Sequence, residues 1–283
     1  DYDILGFQTS TDAANFVRYV VEHADGEALS DDRVRAFGKT VIARAFPIGI
    51  DPDSVYEMAH TPEADAHMAR LQRRSMANMF VLGVDRLDYT KGLPGRMRAF
   101  KRLLELHPEL MKRVTLMQIA PPTREEVEAY TDIRQELEGL SGSINGEFGD
   151  FDWTPVRYIH RAIPRATLSA LFRASQVGLV TPLRDGMNLV AKEYVASQDP
   201  ENPGVLVLSK FAGAAEDLQE AIIVNPYDTD EMADGLHRAL TMPVEERRER
   251  YDALIVRVRT NNVATWRETF LAALKAAPSE TTS

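Results

Sequence analysis

Two stretches of the chain hold residues whose types and spacing suit the binding of a phosphate-bearing ligand. In Gly83-Val-Asp-Arg-Leu-Asp-Tyr-Thr-Lys-Gly-Leu-Pro, Arg86 and Lys91 stand five residues apart in one loop, after an apolar run and before a helical pattern. Two cations held there can flank a diphosphate, and Gly92 allows close backbone approach. An arbitrary Arg or Lys is more often a solvated charge; the place at a strand end is what favours a ligand. In Thr181-Pro-Leu-Arg-Asp-Gly-Met-Asn-Leu-Val-Ala-Lys-Glu-Tyr, an apolar run ends, a Gly loop turns, and a helix starts near Asn188. Unpaired amides at a helix start form an anion site. Asp185 stands at the loop tip beside it, able to accept hydrogen bonds from hydroxyl groups, and Glu193 lies further along the helix. Helix capping by Asp185 and Asn188, with Glu193 facing solvent, accounts for the same residues without a ligand.

Two further segments are weaker. Ala120-Pro-Pro-Thr-Arg-Glu-Glu puts Arg124 at the entry to a helix, where Thr123 could be an ordinary cap. The small residues of Ser209-Lys-Phe-Ala-Gly-Ala-Ala-Glu suit close packing of a helix on a sheet, and Trp153 and Trp266 suit packing.

The elements that must position these residues follow from periodicity. Apolar runs at Met79 to Val84, Val114 to Ile119, Val156 to Ile159, Val177 to Thr181, Val205 to Leu208 and Ala221 to Val224 alternate with helix-period segments starting near Leu93, Arg124, Arg165, Asn188, Ala212 and Asp230. Near-continuous apolar strands joined by helical crossovers predict an α/β fold with a doubly wound parallel sheet, which holds ligands at the carboxyl ends of its strands. Before this region lie a short helix at Asn15 to His23, two strands turning near Gly38, and a helical, polar stretch from about Asp53 to Asn78. After it come helices at Val244 to Arg259 and Asn262 to Lys275.

Composition excludes several classes. With 283 residues, 44% of them hydrophobic, the chain can bury a substantial core, and no apolar run exceeds strand length. A soluble cytoplasmic protein, neither bound to membrane nor crossing it, is expected. The net charge of -10, with Lys and Arg outnumbered 33 to 43, argues against a nucleic-acid surface. The absence of cysteine removes disulfides and thiolate chemistry, and none of the six histidines pairs at metal-ligand spacing along the chain. A homo-oligomer is compatible with all of this.

Taken together, Asp-Arg-Leu-Asp-Tyr-Thr-Lys-Gly, Ile-Asn-Gly-Glu-Phe-Gly, Arg-Asp-Gly-Met-Asn-Leu-Val-Ala-Lys-Glu-Tyr and Ser-Lys-Phe-Ala-Gly-Ala-Ala closely resemble the trehalose-6-phosphate synthase family, from Gly6 through Phe46-Pro-Ile-Gly-Ile-Asp to Trp266. The resemblance implies a GT-B arrangement of two Rossmann-like domains. It also implies transfer of glucose from UDP-glucose or GDP-glucose to glucose 6-phosphate, with retention, in trehalose biosynthesis. By resemblance, Arg86 and Lys91 hold the donor diphosphate, and the loop and helix start Asp185, Gly186, Met187, Asn188, Leu189, Val190, Ala191 and Lys192 grip the donor glucose and phosphate. Glu193 binds the ribose, Ile163 meets the nucleobase through its main chain, and Arg124 meets the acceptor phosphate. Asp185, Arg86 and Lys91 are the candidate catalytic residues. Breaking a glycosyl-phosphate bond develops negative charge on the leaving diphosphate, which fixed cations and helix-start amides stabilise in the transition state. No metal or cofactor is then required, and no Asp-any-Asp metal pairing is evident.

The resemblance implies residues 1–57 as a remnant of the acceptor-side domain, 58–77 as a connecting segment, 78–259 as the nucleotide-sugar-binding domain and 260–283 as a closing helix and tail. It starts partway through the family's amino-terminal domain, so the Gly-rich donor loop, the histidine near the transferred glucose and most acceptor contacts have no counterpart here. The sequence is expected to be truncated and, alone, a poor catalyst. Alternative readings are a related transferase with another phosphorylated acceptor, such as glucosylglycerol-phosphate synthase, and a non-catalytic regulatory relative. A generic dinucleotide-binding module is disfavoured, because no Gly-rich fingerprint follows the strand ending at Val84.

Overall fold

The computed structural model describes residues 2–73, 79–122 and 128–276, and the chain divides into two compact units, Asp1–Asp51 with Arg259–Ser283 and Pro52–Val258. Arg124 lies outside the described residues.

In the smaller unit, strand β1 (Ile4–Phe7) pairs in parallel with β4 (Lys39–Ala45), which continues antiparallel to β3 (Arg33–Ala36) and β2 (Glu27–Ser30). β3 and β4 turn at Phe37 and Gly38, both left-handed, and that turn matches the twist of the paired strands. Helix α1 (Ser10–His23) starts where Thr9 accepts the Asp12 amide at 3.0 Å, and it buries Val17 and Val20 with Val34 and Ala43. The last helix of the chain belongs to this unit, with Phe270 edge-on to Phe46 at 5.1 Å and the Val263 amide donating to Ile50 O at 2.9 Å.

The larger unit begins with α2 (Pro52–Ala59) and α3 (Pro62–Arg73), which bury Val55, Ala59 and Ala64. These helices occupy most of the stretch read as a connecting segment, and both pack on a later helix of the same unit, α6. The rest alternates: β5 (Met79–Val84), α4 (Leu93–Leu106), β6 (Val114–Ile119), α5 (Glu128–Phe148), β7 (Val156–Ile159), α6 (Arg165–Ala174), β8 (Val177–Val180), α7 (Leu189–Ala196), β9 (Val205–Ser209), β10 (Ile222–Val224), α8 (Thr229–Thr241) and α9 (Val244–Thr260), with α10 (Val263–Ala276) closing the chain.

The six strands form one parallel sheet in the order β10-β9-β8-β5-β6-β7. β6 and β8 are buried along their whole length, as strands covered by helices on both faces must be. The chain adds strands on one side of β5 and then, through β8, on the other. The switch point therefore lies between β5 and β8, and in such sheets the crevice beyond the carboxyl ends of these two strands receives ligands.

The helix expected near Ala212 is absent; a single 3-10 turn, Gly213–Glu216, joins β9 to β10. Its backbone is engaged elsewhere. The Gly213 amide donates to Asp185 O at 3.0 Å and that of Ala214 to Met187 O at 2.7 Å, so the segment braces the loop after β8.

Candidate functional site

The loops leaving β5 and β8 meet at the switch point and are tied by backbone hydrogen bonds. Thr90 O accepts the Leu183 amide at 2.7 Å, while Asp185 donates its amide at 3.1 Å to Phe211 O in the loop after β9. Gly92 makes this approach feasible: it has φ of 66°, and a Cβ there would stand 2.6 Å from Thr181 O. Asp88 orders the first loop by accepting the Thr90 amide at 2.9 Å and the Thr90 hydroxyl at 2.8 Å. Burial pushes the Asp88 carboxyl up, but these bonds and the charges of Arg86 and Lys91 outweigh it, so it lies below the usual carboxylate range.

Lys91 and Asp185, on different loops, meet directly. The Lys91 ammonium lies 2.6 Å from Asp185 Oδ2, with the two side chains 14% and 18% exposed. Asn188 Nδ2 donates to the same carboxylate oxygen at 3.0 Å, while Asn188 Oδ1 caps α7 by accepting the Ala191 amide at 3.2 Å. The cap thus takes the third amide of the helix, and those of Leu189 and Val190 belong to the first turn, where intrahelical partners are lacking. Lys91 has three donors, so the bond to Asp185 leaves it able to meet an anion as well. Arg86, 62% exposed, leans on Asp88 at 3.3 Å and stands at the outer edge of the cluster.

The remaining expected residues separate into near and buried. Gly186 is exposed at the loop tip, Met187 is buried beneath it, and Val190 is half-buried on the first turn of α7. Glu193 is half-buried one turn further on, its Oε1 3.6 Å from Arg165 of α6; burial pushes its carboxyl up, against the pull of Arg165. Ile163 is half-buried in the segment just before α6, and Glu193 lies on α7, which packs against α6. Ala191 and Lys192 are fully buried. The Lys192 ammonium turns to Asp217 Oδ2 at 3.3 Å, and burial pushes its pKa down in spite of that carboxylate. Any part of Lys192 in ligand binding would fall to its main chain.

Beneath the loops lies a polar network that sequence reasoning missed. Arg96, fully buried on α4, donates to Asp85 Oδ2 at 2.8 Å, Gln118 Oε1 at 3.1 Å and Thr181 Oγ1 at 3.2 Å. One guanidinium thereby joins the ends of β5, β6 and β8. A Cβ at Gly83 would lie 2.5 Å from this guanidinium, so the glycine makes room for it. Burial pushes the Asp85 carboxyl up, and Arg96 opposes it; Asp85 also feels the charges of Lys91 and Asp185. The signal was present in the helix pattern. Leu93, Arg96, Met97, Phe100 and Leu104 share one buried stripe, where a charge requires a partner.

Comparison with known proteins bears on the family and the fold. Residues 1–276 match the model of glycosyltransferase family 20. The trehalose-6-phosphate synthase of Sodalis glossinidius is 48% identical over 280 residues, which cover 99% of this chain and 59% of that protein. A crystal structure of an alpha,alpha-trehalose-phosphate synthase (UDP-forming) from Burkholderia xenovorans, in complex with glucose-6-phosphate, superposes with a TM-score of 0.94 at 51% identity, covering 97% of this chain and 61% of that one. A trehalose-6-phosphate synthase structure with bisubstrate glycomimetics, described in terms of glycosyl transfer with retention, gives 0.92 at 46% identity, covering 97% and 61%. The chain thus spans about three-fifths of the length of the relatives it matches. Identity near one half along almost its whole length, over the same fold, places the chain in glycosyltransferase family 20.

Proposed function

We propose that the unit Pro52–Val258 is the donor-binding part of an enzyme that moves glucose from UDP-glucose to glucose 6-phosphate, with retention, giving trehalose 6-phosphate. The observation that carries this reading is the Lys91–Asp185 pair at the switch point, at 2.6 Å and beside the start of α7. It supplies a cation for phosphate, a carboxylate for sugar hydroxyls and helix-start amides within one cluster. The UDP-forming Burkholderia relative supports UDP as the carrier and a phosphorylated hexose as the acceptor.

In this reading Lys91 and Arg86 meet the diphosphate, the amides of Leu189 and Val190 take one phosphate, and Asp185 with the Gly186–Asn188 loop holds the glucose. Glu193 accepts from the ribose and the main chain at Ile163 meets the base. As the glycosyl-phosphate bond breaks, charge on the leaving oxygen grows, and donors already fixed by Asp88, Asn188 and Asp185 need little reorganisation to stabilise it. The departing phosphate oxygen takes the proton of the acceptor hydroxyl, which attacks from the same face. Arg124, on resemblance alone, is the candidate for the acceptor phosphate. Both substrates are charged metabolites that do not cross bilayers, which supports action in the cytoplasm.

Calorimetric titration of the chain with UDP, GDP and UDP-glucose in excess chelator tests the reading. UDP is expected to bind more tightly than GDP, without added metal. Binding that vanishes on chelation would sink the metal-free assignment.

A further inference from the structure

Away from the switch point, the fold brings together two imidazoles that lie far apart in sequence. His107 closes α4, its amide donating to Leu103 O at 2.9 Å, and His237 lies in the second half of α8, which packs along α4. Their ring centroids are 3.6 Å apart and their planes differ by 3°. Glu109, in the 3-10 turn Pro108–Leu110, places Oε1 3.2 Å from His107 Nδ1. One ligand atom from each of the three lies within 4.8 Å of the others. The rings are half-buried and the carboxylate is exposed.

A neutral imidazole carries one nitrogen lone pair, so the cluster can set two of them beside a carboxylate. Two nitrogens bound to one tetrahedral ion at about 2.0–2.1 Å stand about 3.4 Å from each other, and the donor atoms here lie within 4.8 Å of one another. Splaying of the rings about their side-chain torsions, with Glu109 swinging in from solvent, would converge the three donors on one point.

We propose that His107, Glu109 and His237 form a binding site for a divalent cation of the zinc class, with three protein ligands and water in the fourth position. Imidazole and carboxylate suit Zn2+ and its transition-metal neighbours better than Mg2+ or Ca2+, which prefer oxygen sets. Bound there, the ion clips the end of α4 to α8. The site stands about 20 Å along α4 from the Lys91 loop, so its occupancy and nucleotide binding are read separately.

The test is titration of the 283-residue chain with Zn2+ against a chromophoric chelator, together with thermal melting. The wild type is expected to take up one equivalent and melt at a higher temperature with Zn2+. His237→Ala should weaken uptake at least about tenfold and abolish the rise. Long-range 15N–1H spectra of the wild-type imidazoles need no variant: Zn2+ should shift His107 and His237 and leave His23, His60, His67 and His160 in place. No uptake by the wild type, uptake unchanged in His237→Ala, or shifts confined to the other imidazoles would overturn the proposal.

Discussion

At the scale of single residues, the site separates charges that the proposed function gives to a ligand from charges that serve the fold. Lys91 is mostly buried but opens on the crevice, and its partner Asp185 is also held by Asn188. In an enzyme that turns over, Lys91→Ala should lower kcat/KM by the roughly 2–4 kcal/mol that a preorganised donor contributes to a transition state. Arg86→Ala, at an exposed position, should lower activity with almost no change in Tm, since exposed ion pairs contribute little to folding. Rates and melting curves measured side by side separate these effects; an Arg86→Ala variant that unfolds yet keeps its specific activity would contradict the assignment.

Arg96 is the opposite case. Arg96→Met strands the Asp85 carboxyl in the core and should cost about 3–5 kcal/mol at pH 7, read by chemical denaturation. Burial raises the pKa of that carboxyl with no guanidinium to oppose it, so the folded variant holds a proton that the unfolded chain releases. Its stability should fall as pH rises above the ordinary carboxylate range and recover towards pH 5, as judged against the wild type. The placement of Arg86, Lys91 and Asp185 in loops after strands was legible, because apolar runs mark where those strands end. Arg96 was not, because a charge on a helix reads as solvated until its place in the apolar stripe is counted. His107 and His237 were hidden by their distance along the chain.

At the scale of elements, the strands and crossovers of the larger unit were legible because buried parallel strands leave near-continuous apolar runs. The failure at Ala212 has a physical reason: the amides of Gly213 and Ala214 bond across to the loop after β8, and small residues there serve loop packing rather than a helix. Glycine context yields paired predictions. Gly92→Ala meets both a left-handed backbone and Thr181 O at 2.6 Å, and should destabilise by at least about 1–2 kcal/mol while weakening nucleotide binding, because Lys91 precedes it. At Gly139, inside α5, a new Cβ meets nothing within 4 Å. There Gly139→Ala should stabilise by roughly 0.5–1 kcal/mol through helix propensity, with binding unchanged. Equal effects at the two positions, by melting and calorimetry, would show that loop closure does not depend on Gly92.

At the scale of the molecule, periodicity revealed a doubly wound sheet but could not tell which unit an end helix joins. The pairing of α10 with the smaller unit rests on Phe270 against Phe46 and on Gly49, where a Cβ would stand 2.1 Å from Asn261 O; such long-range contacts leave no local pattern. The larger unit, in contrast, brings the β5 and β8 loops together at the switch point of its own sheet. The central claim is that this crevice binds a nucleotide sugar through Lys91, and it is tested most directly by calorimetry of the chain with UDP-glucose in excess chelator, wild type against Lys91→Ala. The account predicts one site in the wild type, and affinity at least about tenfold weaker, roughly 1.4 kcal/mol or more, in the variant. Absence of binding in the wild type, or equal binding by both proteins, would contradict it.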